Sequence, residues 1–439
     1  MKRSCHIYLF LCTLLCSGAA QANPIDAFGF GARALSMSGA MTASAEGFSA
    51  SHYNPAALAL DKRLRIELGY AYMHPELTMN DQDLGVDAHR GFQGGVVLAG
   101  ELYEHTVAFA LSLFLPDRLI TRVRALPERQ PRFVMYDNRP QRLVLSASLA
   151  IEVFEGLTLG ASLSFLSHTI GTLSVSGLVG FTDPDETQLK SGVVEDLVAV
   201  RYPTLGVHYS PTPEIKLGIT YREEFALELG LQVLVSGDLV EDGEVTLNDA
   251  SFEMASESRT LFTPRQLAFG FAWDNGCWQI SADLTWAQWS RYPTPTAEVE
   301  MSLNLPGLPV SLPPPDAPLA PHFHDIFIPR IGIESAFIKH PLIEIDIRGG
   351  YAYEASPVPP QEGRTNYVDT DKHTFSLGVG MTLHVLKMLL PEPIGIDVGA
   401  QFIYLPNVIT HKTNPADPTG DYQADGWWAG GGMTLSLLF

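Results

Sequence analysis

The chain has 439 residues, 46% of them apolar and only 18% charged, with 38 Gly, 31 Pro and a formal net charge of −21. That apolar content excludes a disordered chain, and the acidic balance excludes a nucleic-acid backbone as partner. Four cysteines are present, but Cys5, Cys12 and Cys16 crowd the N-terminus and only Cys277 lies beyond them, which excludes a disulfide framework and a thiolate metal site.

In chain order, Lys2 and Arg3 precede an apolar stretch from Ile7 to Cys16, followed by Ala20-Gln21-Ala22. A short positive region, a short apolar core and a small-residue cut site make a secretory signal, so residues 1–22 are predicted to be removed. Ten apolar residues are too few for a membrane anchor, which needs about 20. No later run of 18 apolar residues offers a membrane-crossing helix.

Residues 23–64 show no alternation and are unusually small: 18 of the 32 residues in Gly29–Leu60 are Gly, Ala or Ser. Phe28, Phe30, Leu35, Met37, Phe48, Tyr53 and Leu58 among them point to a buried segment rather than a free tail.

From Arg65 onward the dominant period is two, that of strands. Trp278, Ile280, Ala282, Leu284 and Trp286 alternate with Gln279, Ser281, Asp283 and Thr285, and Ile394, Ile396, Val398, Ala400 and Phe402 alternate with Gly395, Asp397, Gly399 and Gln401. Fourteen such segments are predicted, at 65–74, 89–101, 105–116, 140–154, 158–174, 196–209, 215–235, 261–273, 278–290, 326–337, 343–354, 373–386, 394–405 and 426–439. Their connections alternate strictly between long and short. An up-and-down barrel in an outer membrane has that asymmetry, with an even strand count and long loops outside. Hydrocarbon offers the backbone no hydrogen-bond partner, so a sheet can cross it only when closed. A soluble barrel would reverse the polarity. Aromatic residues near strand ends, among them Tyr72, Trp273, Trp289, Tyr292, Tyr404, Trp427 and Trp428, are expected to form interfacial girdles.

A barrel of fourteen strands has a bore wider than its own side chains fill, and a small-residue segment is suited to pack inside it. The predicted architecture is therefore all-β: a 14-stranded antiparallel transmembrane β-barrel over 65–439, plugged by an N-terminal hatch over 23–64.

Several motifs carry a family resemblance. Gly31-Ala32-Arg33-Ala34, Ser36-Met37-Ser38-Gly39-Ala40 and His52-Tyr53-Asn54-Pro55-Ala56-Ala57 resemble the hatch of the FadL/TodX family, whose Asn-Pro-Ala motif falls on Asn54, Pro55 and Ala56. Ala57 departs from a frequent Gly. Gly218-Ile219-Thr220-Tyr221-Arg222, Trp286 to Trp289, Arg348-Gly349-Gly350-Tyr351 and the terminal Phe439 extend the likeness over the mature chain. The resemblance implies passive uptake of long-chain fatty acids or aromatic hydrocarbons across the outer membrane of a Gram-negative bacterium. Ligand would be captured at the outer loops, held in a pocket by the hatch and released sideways into the membrane.

Candidate ligand-lining residues are Phe28, Phe30, Phe48, Tyr53, Arg222 and Arg348. The two arginines either meet a ligand carboxylate or, with Glu224, Glu228, Asp283, Glu344, Asp346 and Asp397, form pairs that hold the hatch; acids outnumber bases, which favours pairing. Leu119, Ile120 and Val123 in one long loop and Leu303, Leu305 and Leu308 in another are candidates for an outer groove. Asp81, Asp83, Asp369 and Asp371 read as loop charges rather than a calcium site, because the twelve-position spacing is missing. No catalytic motif is present, so no enzyme, metal or cofactor is expected. The expected partners are a hydrophobic small molecule, outer-membrane lipid and lipopolysaccharide, bound by a monomer. The competing readings are a porin for polar solutes and a surface adhesin or receptor using its loops.

Overall fold

The computed structural model describes residues 25, 29–118, 131–133, 135–136, 143–180, 188–241, 244–294, 298–307, 319–384, 392–413 and 417–439. The predicted signal segment 1–22, Phe28, Leu119, Ile120, Val123 and Leu308 lie outside them.

Eighteen strands are described: β1 (Arg65–Met79), β2 (Gln82–Asp83), β3 (His89–Leu102), β4 (His105–Pro116), β5 (Val144–Phe154), β6 (Leu157–Gly180), β7 (Gln188–Tyr209), β8 (Ile215–Arg222), β9 (Phe225–Glu241), β10 (Glu244–Thr263), β11 (Gln266–Asp274), β12 (Trp278–Ala287), β13 (Glu298–Asn304), β14 (Ile326–His340), β15 (Ile343–Glu354), β16 (Lys372–Leu383), β17 (Ile394–Thr410) and β18 (Tyr422–Leu438). Fourteen of them form the wall. β1, β3 to β8, β11, β12 and β14 to β18 each run antiparallel to the next, and β18 closes on β1 from Arg65↔Leu438 to Met79↔Ala424. Leu64 and Phe439 exchange both backbone hydrogen bonds, at 3.1 and 2.9 Å, so the closure runs to the last residue. Among the described strands no edge remains in the wall.

Side-chain alternation fixes which face meets lipid. Leu68, Leu149 and Leu377 are 60, 60 and 71% exposed, whereas their strand neighbours Glu67, Ser148 and Ser376 are buried inside. The grease is outside, as the transmembrane reading requires. Short turns join the strands at one end. Tyr103-Glu104 is a two-residue turn with both φ angles positive, the geometry that matches strand twist.

The structure corrects the predicted segment 215–235. β8 ends at Arg222, and β9 leaves the wall to pair in parallel with the far end of β6, from Ile170↔Gly230 to Gly180↔Val240. β9 and β10 form a hairpin where a loop over 236–260 is predicted. The predicted strand 261–273 likewise divides at Pro264, which has no N–H to give a ladder. Period-two patterning cannot separate these pieces, because hairpin arms are half-buried strands too. β13 pairs with β10 inside the predicted loop 291–325.

The girdle assignment needs a second correction. Trp289, Tyr292 and Trp428 point inward and are buried, with Phe133, Tyr136, Phe262, Phe323 and Tyr367, in a core that fills the long-loop end of the bore. Tyr72 and Tyr404 stay on the outer surface.

Candidate functional site

The small-residue segment lies within the cylinder. It folds as α1 (Ala32–Ser36), a 3₁₀ turn over Gly47–Ser49, α2 (Ala50–Tyr53) and a second 3₁₀ turn over Pro55–Leu60. Pro55 follows an Asn54 whose Oδ1 accepts from Ala56 N at 3.1 Å, a cap that starts the second turn. Asn54 Nδ2 donates to Thr42 O (2.8 Å) and Val207 O (3.0 Å), joining two parts of the segment to β7. This gives the Asn-Pro-Ala motif a physical role.

Turns within the segment satisfy much of its backbone, and inward-facing side chains of the wall take up further groups. Asp283 accepts from Met41 N, Thr42 N and Thr42 Oγ1 at 2.9, 2.8 and 2.7 Å. Glu67 accepts from Phe48 N (2.6 Å), Gln93 from Gly31 N (2.7 Å) and Thr434 from Ala32 N (3.1 Å). Thr220 Oγ1 donates to Tyr53 O at 2.8 Å, and Arg222 Nη2 to His52 O at 2.5 Å. Wall glycines admit the segment: a Cβ on Gly160 would overlap the backbone of Pro55 and Ala56, one on Gly218 that of Thr42, and one on Gly350 that of Met37.

Between this segment and the long-loop core lies a cavity with about 1340 Å³ of atom-free space, part of it open to solvent. Ala34, Leu35, Ser38 and Tyr53 form one side, and Met135, Tyr136, Trp289, Ile328, Ile403 and Trp428 the other. Arg222, Gln266, Asp283 and Arg330 line its flank. Arg330 Nη1 donates to Thr285 Oγ1 at 2.8 Å. Burial, with Arg222 and Arg330 nearby, holds the His52 imidazole well below its ordinary range, so it is neutral at neutral pH. Lys372 pairs with Glu354 and sits 5.4 Å from the Tyr136 ring centre.

The sequence-derived candidates therefore separate. Tyr53 and Arg222 reach the cavity. Phe30 and Phe48 meet edge to face, with centroids 4.7 Å apart, in a core with Phe114, Val144, Leu166 and Tyr202. Arg348 bonds to Glu334 and Asp397, in an ion cluster that includes Arg33 of α1. Leu303 lies on β13, opposite Phe252 of β10, and Leu305 follows the end of that strand. Sequence reasoning missed Arg330 and Glu334. Alternation places both inward, but Ile326 and Ile328 share that face because they meet the aromatic core, which blurs the polarity. Among the described residues no cluster of three His, Cys, Asp or Glu side chains is placed to hold a metal.

A closed barrel, apolar outside, whose N-terminal segment is bonded into its bore beneath an internal cavity, is the architecture of an outer-membrane transport protein. Residues 8–302 match the family described as outer membrane protein transport protein (OMPP1/FadL/TodX), and the chain belongs to that family. It is a transport protein of the Gram-negative outer membrane, not an enzyme. Among curated proteins it is similar to alkane uptake protein A of Marinobacter nauticus, 24% identical over 377 residues, or 81% of this chain and 78% of the relative. In fold it resembles a Pseudomonas aeruginosa FadL homologue (16% identity, 93% of this chain and 97% of that one, TM-score 0.57). It also resembles the P. putida toluene transporter TodX (17% identity, 94% and 99%, TM-score 0.54).

Proposed function

We propose that the protein is a passive outer-membrane channel for hydrophobic compounds: long-chain fatty acids or hydrocarbons, aromatic or aliphatic. The observation that carries this reading is the cavity bounded by Trp289, Ile328, Ile403 and Trp428 on one side and Ala34 and Leu35 on the other. In it, residues 29–60 are the hatch that closes the bore, and the outer loops collect the ligand. Transfer from water is worth about 0.8 kcal/mol per CH₂, so a captured chain is driven into the cavity and resists re-entering water. Beyond the hatch lies water and beyond the wall lies lipid, so release sideways keeps the chain in apolar surroundings. No energy source beyond the gradient is required. A porin for polar solutes would need an open, wet bore, which the hatch bonds of Asp283, Glu67 and Gln93 oppose.

Displacement of an apolar fluorescent probe from the detergent-purified protein tests the reading. Ala352 faces the cavity, so Ala352→Trp fills it. Hexadecane, palmitate or toluene should displace the probe from the wild type, and the variant should bind it at least about tenfold more weakly, the effect of some 1.4 kcal/mol. No saturable binding, or equal binding by the variant, would remove the cavity from the account.

A further inference from the structure

Residues 29–60 contain only two charged side chains, Arg33 and Glu46. Both belong to a run of alternating charges that links wall strands β17, β15 and β14 to β1. Asp397 on β17 bonds to Arg348 on β15, which bonds to Glu334 on β14. Glu334 meets Arg33 at 2.9 Å, Arg33 meets Glu46 at 3.3 Å, and Glu46 meets Arg65 on β1 at 3.6 Å. Arg65 and Arg63 then share Asp61, at 3.2 and 2.9 Å. Burial pushes the Glu46 carboxyl up, but Arg33 and Arg65 together outweigh it and hold it below its ordinary range.

Arg33 stands on α1 between two compartments. Its guanidinium lines a recess with Glu46, Asp61 and Arg65, while the next two residues, Ala34 and Leu35, line the cavity. Apart from Glu46 to Arg65, the other wall contacts of the segment described above involve backbone or neutral groups on the hatch side. Arg33 also donates from Nη1 to Ser44 O at 2.8 Å, so one side chain ties α1 to the following turn and to β14.

We infer that Arg33 is the positioning residue of the channel: through Glu334 it holds α1 against the wall and so sets the cavity side formed by Ala34 and Leu35. The inference rests on the hatch reading of residues 29–60. Arg33 touches no ligand and acts only through the hatch. The order of the charges makes this testable without dismantling the barrel. With Arg33 removed, Glu334 keeps Arg348 and Glu46 keeps Arg65, so no carboxylate is left without a partner.

The test uses the full-length protein in planar bilayers together with binding of the apolar probe. Deleting residues 29–60 should give a steady ion-conducting pore. Arg33→Met, of similar reach but uncharged, should raise the frequency of brief openings and weaken probe binding about tenfold each. Arg33→Lys should return both to within about threefold of the wild type. If Arg33→Met fails to assemble, Glu334→Gln reports the same contact, because Arg33 keeps Glu46 and Arg348 keeps Asp397. The inference is overturned if these variants stay as closed and bind as tightly as the wild type while the deletion conducts. It is equally overturned if Arg33→Lys matches Arg33→Met. A deletion that does not conduct would instead remove the hatch reading itself.

Discussion

One carboxylate oxygen of Asp283 serves three donors from two consecutive residues of the N-terminal segment: the backbone N–H groups of Met41 and Thr42 and the Thr42 hydroxyl. The wall strand β12 thereby supplies the acceptor that an Asp or Ser cap supplies at a helix start. Backbone buried inside a bore must find such a partner, and here the barrel provides it.

Asp283→Ala should therefore strand the buried Thr42 N–H, at about 1–3 kcal/mol, whereas Met41 N keeps its bond to Gly39 O at 2.9 Å. Asp283→Asn keeps an acceptor oxygen and should lose less. Hydrogen exchange at Thr42 measures this, with protection falling at least about tenfold in the alanine variant. Unchanged protection would mean that the segment is held by other contacts.

The glycine seats give a steric test. A Cβ on Gly206 would collide with Asn54 Oδ1 and stand 2.9 Å from Pro55 Cδ, so Gly206→Val should unseat the Asn-Pro-Ala turn. Gly100, with nothing within 4 Å of its added Cβ, is the control, and Gly100→Ala should change stability by less than about 0.5 kcal/mol. The temperature at which the folded band is lost on electrophoresis reports both. Equal values would contradict the seat.

A pH effect follows from the loop before β16. Burial lifts the Asp369 carboxyl to about 6, against the opposing pull of Lys372. Between about pH 4 and 6 the folded loop then holds a proton that the unfolded chain has released. This contribution to stability is present in acid and is lost as pH rises through that window. Its upper bound is about 3 kcal/mol for a shift of some two units. The wild type should thus gain thermal stability relative to Asp369→Asn when moved from pH 7.5 to 5, as read by intrinsic fluorescence. A parallel response of the two proteins would refute the assignment.

Much of this is legible in the amino-acid sequence. Strict alternation in β12 and β17 sets Asp283 and Asp397 inward, and the rhythm of turns sets fourteen wall strands. The run of Gly, Ala and Ser before Arg65 marks a segment able to touch backbone. What alternation cannot carry is register between distant parts of the chain. Asp283 lies 241 positions from Thr42, and Glu334 lies 301 from Arg33, so the partner of an inward charge follows only from the path of the N-terminal segment through the bore. The β9–β10 hairpin stayed hidden because Phe225, Leu227 and Leu229 continue the rhythm of β8 past Arg222.

Uptake by living cells tests the central claim most directly. Cells lacking the protein, cells carrying it and cells carrying Ala352→Trp would be given radiolabelled hexadecane, palmitate and toluene, with a labelled sugar as control. The account requires faster accumulation of at least one hydrophobic compound with the wild type only, and no change for the sugar. Equal accumulation of all three compounds in all three strains, or a gain confined to the sugar, would contradict it.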